Sequence, residues 1–201
     1  MPTGVFSTNI SLGGISVQSS IMRTESGQIA HEVTLPAGKA GTLSTRTSDT
    51  AGVATLAADH GITTGMMVDV YWAAGVRYGV TVGTVSGTSV PLSDSGAGDV
   101  YPAASTAIVV APVTVIDTDF DGDLASMIAA LTTKRGHIDF RTAAASATAA
   151  ELQANEAYTW ASDTGVVNPL ASDDVASIRM SNGDSSGTAT GKVAVLYDSE
   201  A

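Results

Sequence analysis

The residues best spaced for chemistry are the aspartates of Asp117-Thr118-Asp119-Phe120-Asp121-Gly122-Asp123. Carboxylates at the first, third and fifth places of a loop, with glycine at the sixth, match the opening half of a calcium-binding loop. There, hard oxygen ligands surround the ion and the glycine permits the turn. Asp117, Asp119, Asp121 and Asp123 are therefore the candidate ligands for a divalent cation such as Ca2+. The place where such a loop needs a bidentate glutamate holds Ile128, so the pattern is incomplete. The competing reading is a solvated turn in which Asp121 or Asp123 caps a following helix, a position where the helix dipole favours negative charge.

The other reactive side chains are sparse. His31 alternates within an apolar strand pattern, and His60 precedes a glycine turn, where an imidazole commonly bonds a backbone carbonyl. Of the three histidines only His137 has a carboxylate at a local pairing distance, Asp139 two residues on. Packing or capping is the expected role for all three, with metal binding or catalysis as the alternative. No Gly-x-Ser-x-Gly elbow occurs, and glycine-rich pieces such as Gly83 to Gly87 join strands instead of opening a helix that would hold a phosphate. Asp173-Asp174 stands in a turn context. Trp72, Tyr78, Tyr158 and Trp160 offer a sugar-stacking platform, but with only 5% aromatic residues the tryptophans read more simply as core or interface anchors. Trp72, Tyr78 and Trp160 are the candidate interface anchors. No constellation supports an enzyme.

The elements that must position these residues are strands. From Met66 to Trp72 the types alternate: Met66, Val68, Val70 and Trp72 fall on one face and Asp69 and Tyr71 on the other, as in a half-buried strand. Ala73-Ala74-Gly75 turns the chain, Val76, Tyr78, Val80 and Val82 resume the alternation, and Val90 and Leu92 follow a glycine turn. Gly61 and Gly65 bracket a turn that needs positive φ. Upstream, Ile10, Leu12, Ile15 and Val17 flank a Gly13-Gly14 kink, Ile29, His31, Val33 and Leu35 alternate, and TLSTRTSDT suits an exposed edge strand. Downstream, Thr106 to Ile116 is a second apolar run in which Pro112 implies an edge or a bulge. Leu124, Met127, Ile128 and Leu131 stand at helical spacing and predict one short helix, with Lys134-Arg135 past its end. The alanine-rich TAAASATAAEL reads as a short helix or a loop, and Ala157 to Trp160, Val175 to Met180 and Thr188 to Tyr197 as closing strands, the last two joined by a hairpin-like SNGDSSGT.

The expected fold is mainly β: an antiparallel β-sandwich or small β-barrel with one short α-helix. The expected organisation is an N-terminal arm and strands over 1–58, a barrel-like meander over 59–118, and a helix with closing strands over 119–201. Composition narrows the function. Nine Lys plus Arg stand against twenty Asp plus Glu, a net charge of −11, and the basic residues are scattered, which argues against nucleic-acid binding as the main task. There is no cysteine, so disulfides and thiolate metal sites are excluded. No basic-then-apolar leader opens the chain, and no run approaches the roughly 18 to 20 apolar residues of a membrane span, so a soluble cytoplasmic product is expected.

The run His60-Gly61-Ile62-Thr63-Thr64-Gly65, followed by Val68-x-Val70, Val80-x-Val82 and Thr88-x-Val90, resembles the small β-barrel modules of tailed-bacteriophage structural proteins. The alanine- and glycine-rich, cysteine-free, acidic character of the whole chain is similar to head decoration and tail tube proteins of such virions. The local resemblance covers about 35 residues, and it carries no catalytic residue over. It implies a non-enzymatic virion subunit that assembles as a homo-oligomer with partners such as the major capsid protein. A capsid decoration (cement) protein is the first expectation and a tail tube protein the second, although the apolar hairpin arm of a tube subunit is not identifiable. Small side chains at subunit contacts fit this, since ordering long ones costs up to roughly 2 kcal/mol each. A carbohydrate-binding module using Trp72 and Trp160 is the alternative from another class.

Overall fold

The computed structural model describes residues 9–12, 15–18, 21–23, 28–117, 124–141, 146–153, 157–160 and 177–197, and every structural statement below concerns these. Their regular structure is strand throughout, and no helix occurs among the described residues. In chain order the first strands are β1 (Asn9–Leu12), β2 (Ile15–Gln18), β3 (Ile21–Arg23), β4 (Gln28–Leu35), β5 (Lys39–Arg46), β6 (Gly52–Leu56), β7 (Met67–Trp72) and β8 (Gly75–Thr81). They are followed by β9 (Ser89–Leu92), β10 (Ala97–Gly98), β11 (Thr106–Asp117), β12 (Leu124–Leu131), β13 (Arg135–Arg141), β14 (Ser146–Gln153), β15 (Ala157–Trp160), β16 (Ser177–Asn182) and β17 (Ala189–Tyr197).

The chain divides into two compact units. One comprises Pro36–Val113 with Ser181–Thr188 and contains the meander read from the sequence. Its strands follow the order β10-β8-β7-β11-β5-β6-β9, each pair antiparallel. The sheet curls until β8 meets β9: Val82, just past β8, bridges Leu92 of β9, Gly83 N donates to Pro91 O at 2.9 Å and Ser93 N to Thr81 O at 3.1 Å. One bridge and two backbone bonds thus join the end of β8 to β9, and the sheet is a curled half-barrel with β10 outside this seam.

The alternation in the sequence explains the interior. Leu43, Ala54, Leu56, Val68, Val70, Val80, Val82, Val90, Leu92, Ile108 and Val110 all turn inward to form one cluster, each at most 3% exposed. Burying a Val or Leu side chain contributes about 1.5 to 3 kcal/mol relative to exposure, so this layer supplies the main driving force for the unit. Pro112 lies two residues beyond the last β5 pairing, Val110 with Lys39, and opposite Val68. β11 is an internal strand that neighbours β16 as well as β7, so proline stands here just past the end of the β5 ladder and not on an open edge.

The other unit comprises Met1–Leu35, Thr114–Met180 and Ala189–Ala201. Here a five-stranded antiparallel sheet runs β15-β12-β17-β4-β3. β13 pairs with β14 and neighbours β16, and β1 pairs with β2 and, through Ile10 and Ser11, with Ile116 and Val115 of β11.

Two expected elements are corrected. Leu124 to Leu131, expected as the short helix, is strand β12, paired along its length with β17 and with β15. An apolar run of eight residues satisfies both periods, and ladders on both sides decide for the strand. TAAASATAAEL, expected as helix or loop, contributes strand β14, whose partner β13 satisfies its backbone from Arg135 to Arg141. Alanine's helix preference is worth under about 1 kcal/mol per residue and yields to tertiary pairing. SNGDSSGT connects strands that are not partners: β17 pairs with β12 and β4, not with β16.

Candidate functional site

β7 and β8 do not keep one alternation. Val68 opposes Val80, but Val70 opposes Arg77, so Asp69 faces two residues, Tyr78 and Gly79, across a β-bulge. Gly79 takes φ +64°, a conformation costly for residues with a Cβ. The bulge switches the faces: Val76 packs with Tyr71 and Ala111 in a second cluster, flanked by Tyr78 and Val109, while Val80 and Val82 enter the barrel interior. β7 is consequently buried on both faces rather than one.

A bulge frees a backbone amide, and Asp69 supplies its partner. Asp69 Oδ1 accepts the Gly79 N–H at 2.7 Å, and Oδ2 accepts the Ser181 hydroxyl at 2.5 Å. Ser181 Oγ is also 2.6 Å from the Tyr71 hydroxyl; with its own proton directed at Asp69, it accepts from Tyr71. Asp69 and Ser181 are 0% exposed and Tyr71 1%. A buried carboxyl group needs partners in place of water, and the bulge amide and the serine hydroxyl, itself polarised by the tyrosine, are two of them. The node anchors the segment Ser181–Thr188. Beyond it Asn182 Nδ2 donates to Gly187 O and Asp184 N to Asn182 Oδ1, both at 2.9 Å, and Gly38 N reaches Asp184 O at 3.0 Å.

Arg77 is the second buried polar centre, 5% exposed. Its guanidinium donates to Ser95 O at 3.3 Å, Gly96 O at 3.2 Å and Asp99 O at 3.4 Å, and lies 5.9 Å from the centre of the Tyr101 ring. Three carbonyls and an aromatic face offset its desolvation and tie Ser95–Tyr101 to β8. The Tyr101 hydroxyl is buried without a hydrogen-bond partner. Burial pushes its pKa well above the usual tyrosine range, against a smaller opposing effect of Arg77.

The histidine expectations can be placed. His60 Nδ1 accepts the Ile62 N–H at 2.9 Å, which puts the ring proton on Nε2, 3.1 Å from Gly87 O. It caps the turn as read from the sequence, and Gly61 and Gly65 carry φ of +77° and +84°. His137 and Asp139 share one face of β13, both buried, with Nε2 and Oδ2 4.0 Å apart. His31 lies on β4 opposite Val193 of β17, and its side chain is outside the described residues.

Of the candidate cation ligands, Asp117 ends β11, while Asp119, Asp121 and Asp123 lie outside the described residues. Ile128 pairs with Ala194 and Thr159. Among the described residues no group of three or more His, Cys, Asp or Glu is arranged to hold a metal ion. Trp72 is 8% exposed and stacks at a tilt on Tyr101, centroids 6.1 Å apart, so its ring belongs to the barrel core and offers little face to a sugar or a partner. Tyr78 is half-buried against the second cluster. Trp160 ends β15 opposite Met127, and its side chain is outside the described residues.

Asp69, Ser181 and Arg77 were not singled out by sequence reasoning. The available signal was an aspartate inside an otherwise apolar strand and an arginine between Val76 and Tyr78, each demanding an internal partner. Among the described residues no helix is long and apolar enough to cross a membrane. Comparison with protein families, curated proteins and solved structures finds no match to this chain.

Proposed function

We propose that the chain is a non-enzymatic structural subunit of a tailed-bacteriophage virion, a capsid decoration protein that works as a homo-oligomer and stabilises the head by bridging major capsid subunits. The observation that supports this reading is how the barrel unit uses its polar side chains. Asp69, Ser181, Tyr71, Arg77 and His60 all bond groups of the fold itself, and they lock loops and a bulge onto the curled sheet. A rigid, acidic, small-residue module suits a subunit whose task is to hold a fixed shape among many neighbours.

The test is co-sedimentation of the purified protein with undecorated capsids of its virion, followed by heat or low-salt challenge. Saturable binding that raises the rupture threshold is expected. Failure to bind, with assembly into stacked rings instead, moves the protein to the tail tube, and failure of both overturns the virion reading.

A further inference from the structure

Four asparagines occur in the chain, and Asn182 alone is followed by glycine. The step has a well-defined reactivity. The Gly183 nitrogen attacks Asn182 Cγ and gives up its proton, ammonia leaves with the side-chain nitrogen, and a five-membered succinimide remains. Water then opens the ring at either carbonyl, producing aspartate or an isoaspartyl link. Glycine makes this fast because no side chain hinders the nitrogen and its backbone turns freely.

We propose that Asn182-Gly183 is a spontaneous modification site whose reaction is gated by opening of the Gly183–Thr188 loop, and whose conversion prevents that loop from closing again. The gate is visible in the bonds. The leaving nitrogen, Nδ2, is held on Gly187 O at 2.9 Å, and Oδ1 is held by the Asp184 N–H at 2.9 Å. Asp184 in turn caps the Ser186 N–H at 2.8 Å and the Ser186 hydroxyl at 2.7 Å. Asn182 is 0% exposed, so neither ammonia nor water has a path while the loop is shut. Ser181, one residue earlier, is fastened to Asp69 and Tyr71. Reaction therefore proceeds from the open loop, at a rate set by its population.

The product can still accept the Asp184 N–H through a carboxylate oxygen, but it cannot rebuild the contact with Gly187. A carboxylate has no N–H for Gly187 O and would oppose that carbonyl with a buried negative charge. An isoaspartyl link also adds a methylene to the backbone at the end of β16. Either outcome releases Asp184 from Gly38 N, the contact that fastens the loop onto the barrel unit.

Peptide mass spectrometry after incubation in mildly alkaline buffer measures conversion at residue 182, with the chain unfolded in urea as reference. Conversion in the native protein at least about a hundredfold slower than in urea is expected, and Asp184→Ala and Ser181→Ala, each of which loosens the loop, should accelerate it several-fold. Native conversion at the unfolded rate overturns the gate, as does the absence of acceleration in both variants. Asn182→Asp mimics the product, and hydrogen exchange should show loss of protection at Gly38. Retained protection there would overturn the second half of the proposal.

Discussion

Ser181 donates its hydroxyl proton to Asp69 Oδ2 at 2.5 Å across 112 positions of sequence, and the other oxygen of the same carboxylate holds the Gly79 amide of the β-bulge. One side chain thus fixes both the bend of β7–β8 and the segment that follows β16. Removing it strands two buried donors at once. Asp69→Ala should destabilise the protein by about 2 to 5 kcal/mol and Ser181→Ala by about 1 to 2. A double-mutant cycle in urea should give a coupling of at least about 0.5 kcal/mol. A loss no larger than that of exposed Thr55→Ala would remove Asp69 from the fold's central contacts.

Gly79 separates backbone strain from crowding. An added Cβ would meet nothing within 4 Å, so Gly79→Ala carries only the penalty of φ +64°. That penalty is about 1 to 2 kcal/mol. Gly187 is equally open but does not have positive φ, and Gly187→Ala should be close to neutral. Equal stability of the two variants in chemical denaturation would contradict the bulge assignment.

His60 satisfies two backbone groups, the Ile62 N–H and the Gly87 carbonyl. His60→Ala should cost about 1 to 3 kcal/mol. Hydrogen exchange at Ile62 should accelerate in this variant while exchange in β11 keeps the pattern of the parent. Unchanged protection at Ile62 would show that the imidazole is not its acceptor.

Tyr101 gives a pH signature. Its hydroxyl is buried and unpartnered, and burial raises its folded-state pKa above the unfolded value. The folded state then binds the proton more tightly, so this stability is complete below about pH 10, the unfolded value, and falls as pH rises beyond it. The expected slope approaches about 1.4 kcal/mol per pH unit. Tyr101→Phe should abolish this alkaline loss and, having no hydroxyl to desolvate, should match or exceed the parent at neutral pH. Parallel alkaline profiles for the two proteins would exclude the assignment.

Legibility followed the range of the interactions. The inward set Val68, Val70, Val80, Val82, Val90 and Leu92 and the His60 cap were readable because each depends on alternation or on a turn within a few residues. The switch of faces at Gly79 was hidden because Val76, Tyr78, Val80 and Val82 look continuous, and only the pairing with β7 reveals the extra residue. Leu124 to Leu131 misled for a related reason. Its stripe fits a helix in isolation, and the strands that claim it begin at Ala157 and Ala189. Nothing local marks Ser181 as the partner of Asp69.

The measurement that tests the central claim most directly is the mass and shape of the purified full chain, by light scattering after size exclusion and by negative-stain microscopy at high concentration. A decoration subunit predicts a small closed oligomer, a trimer being the simplest, that neither stacks nor polymerises. Rings that grow into tubes would place the protein in the tail, and a strict monomer at every concentration would contradict the account.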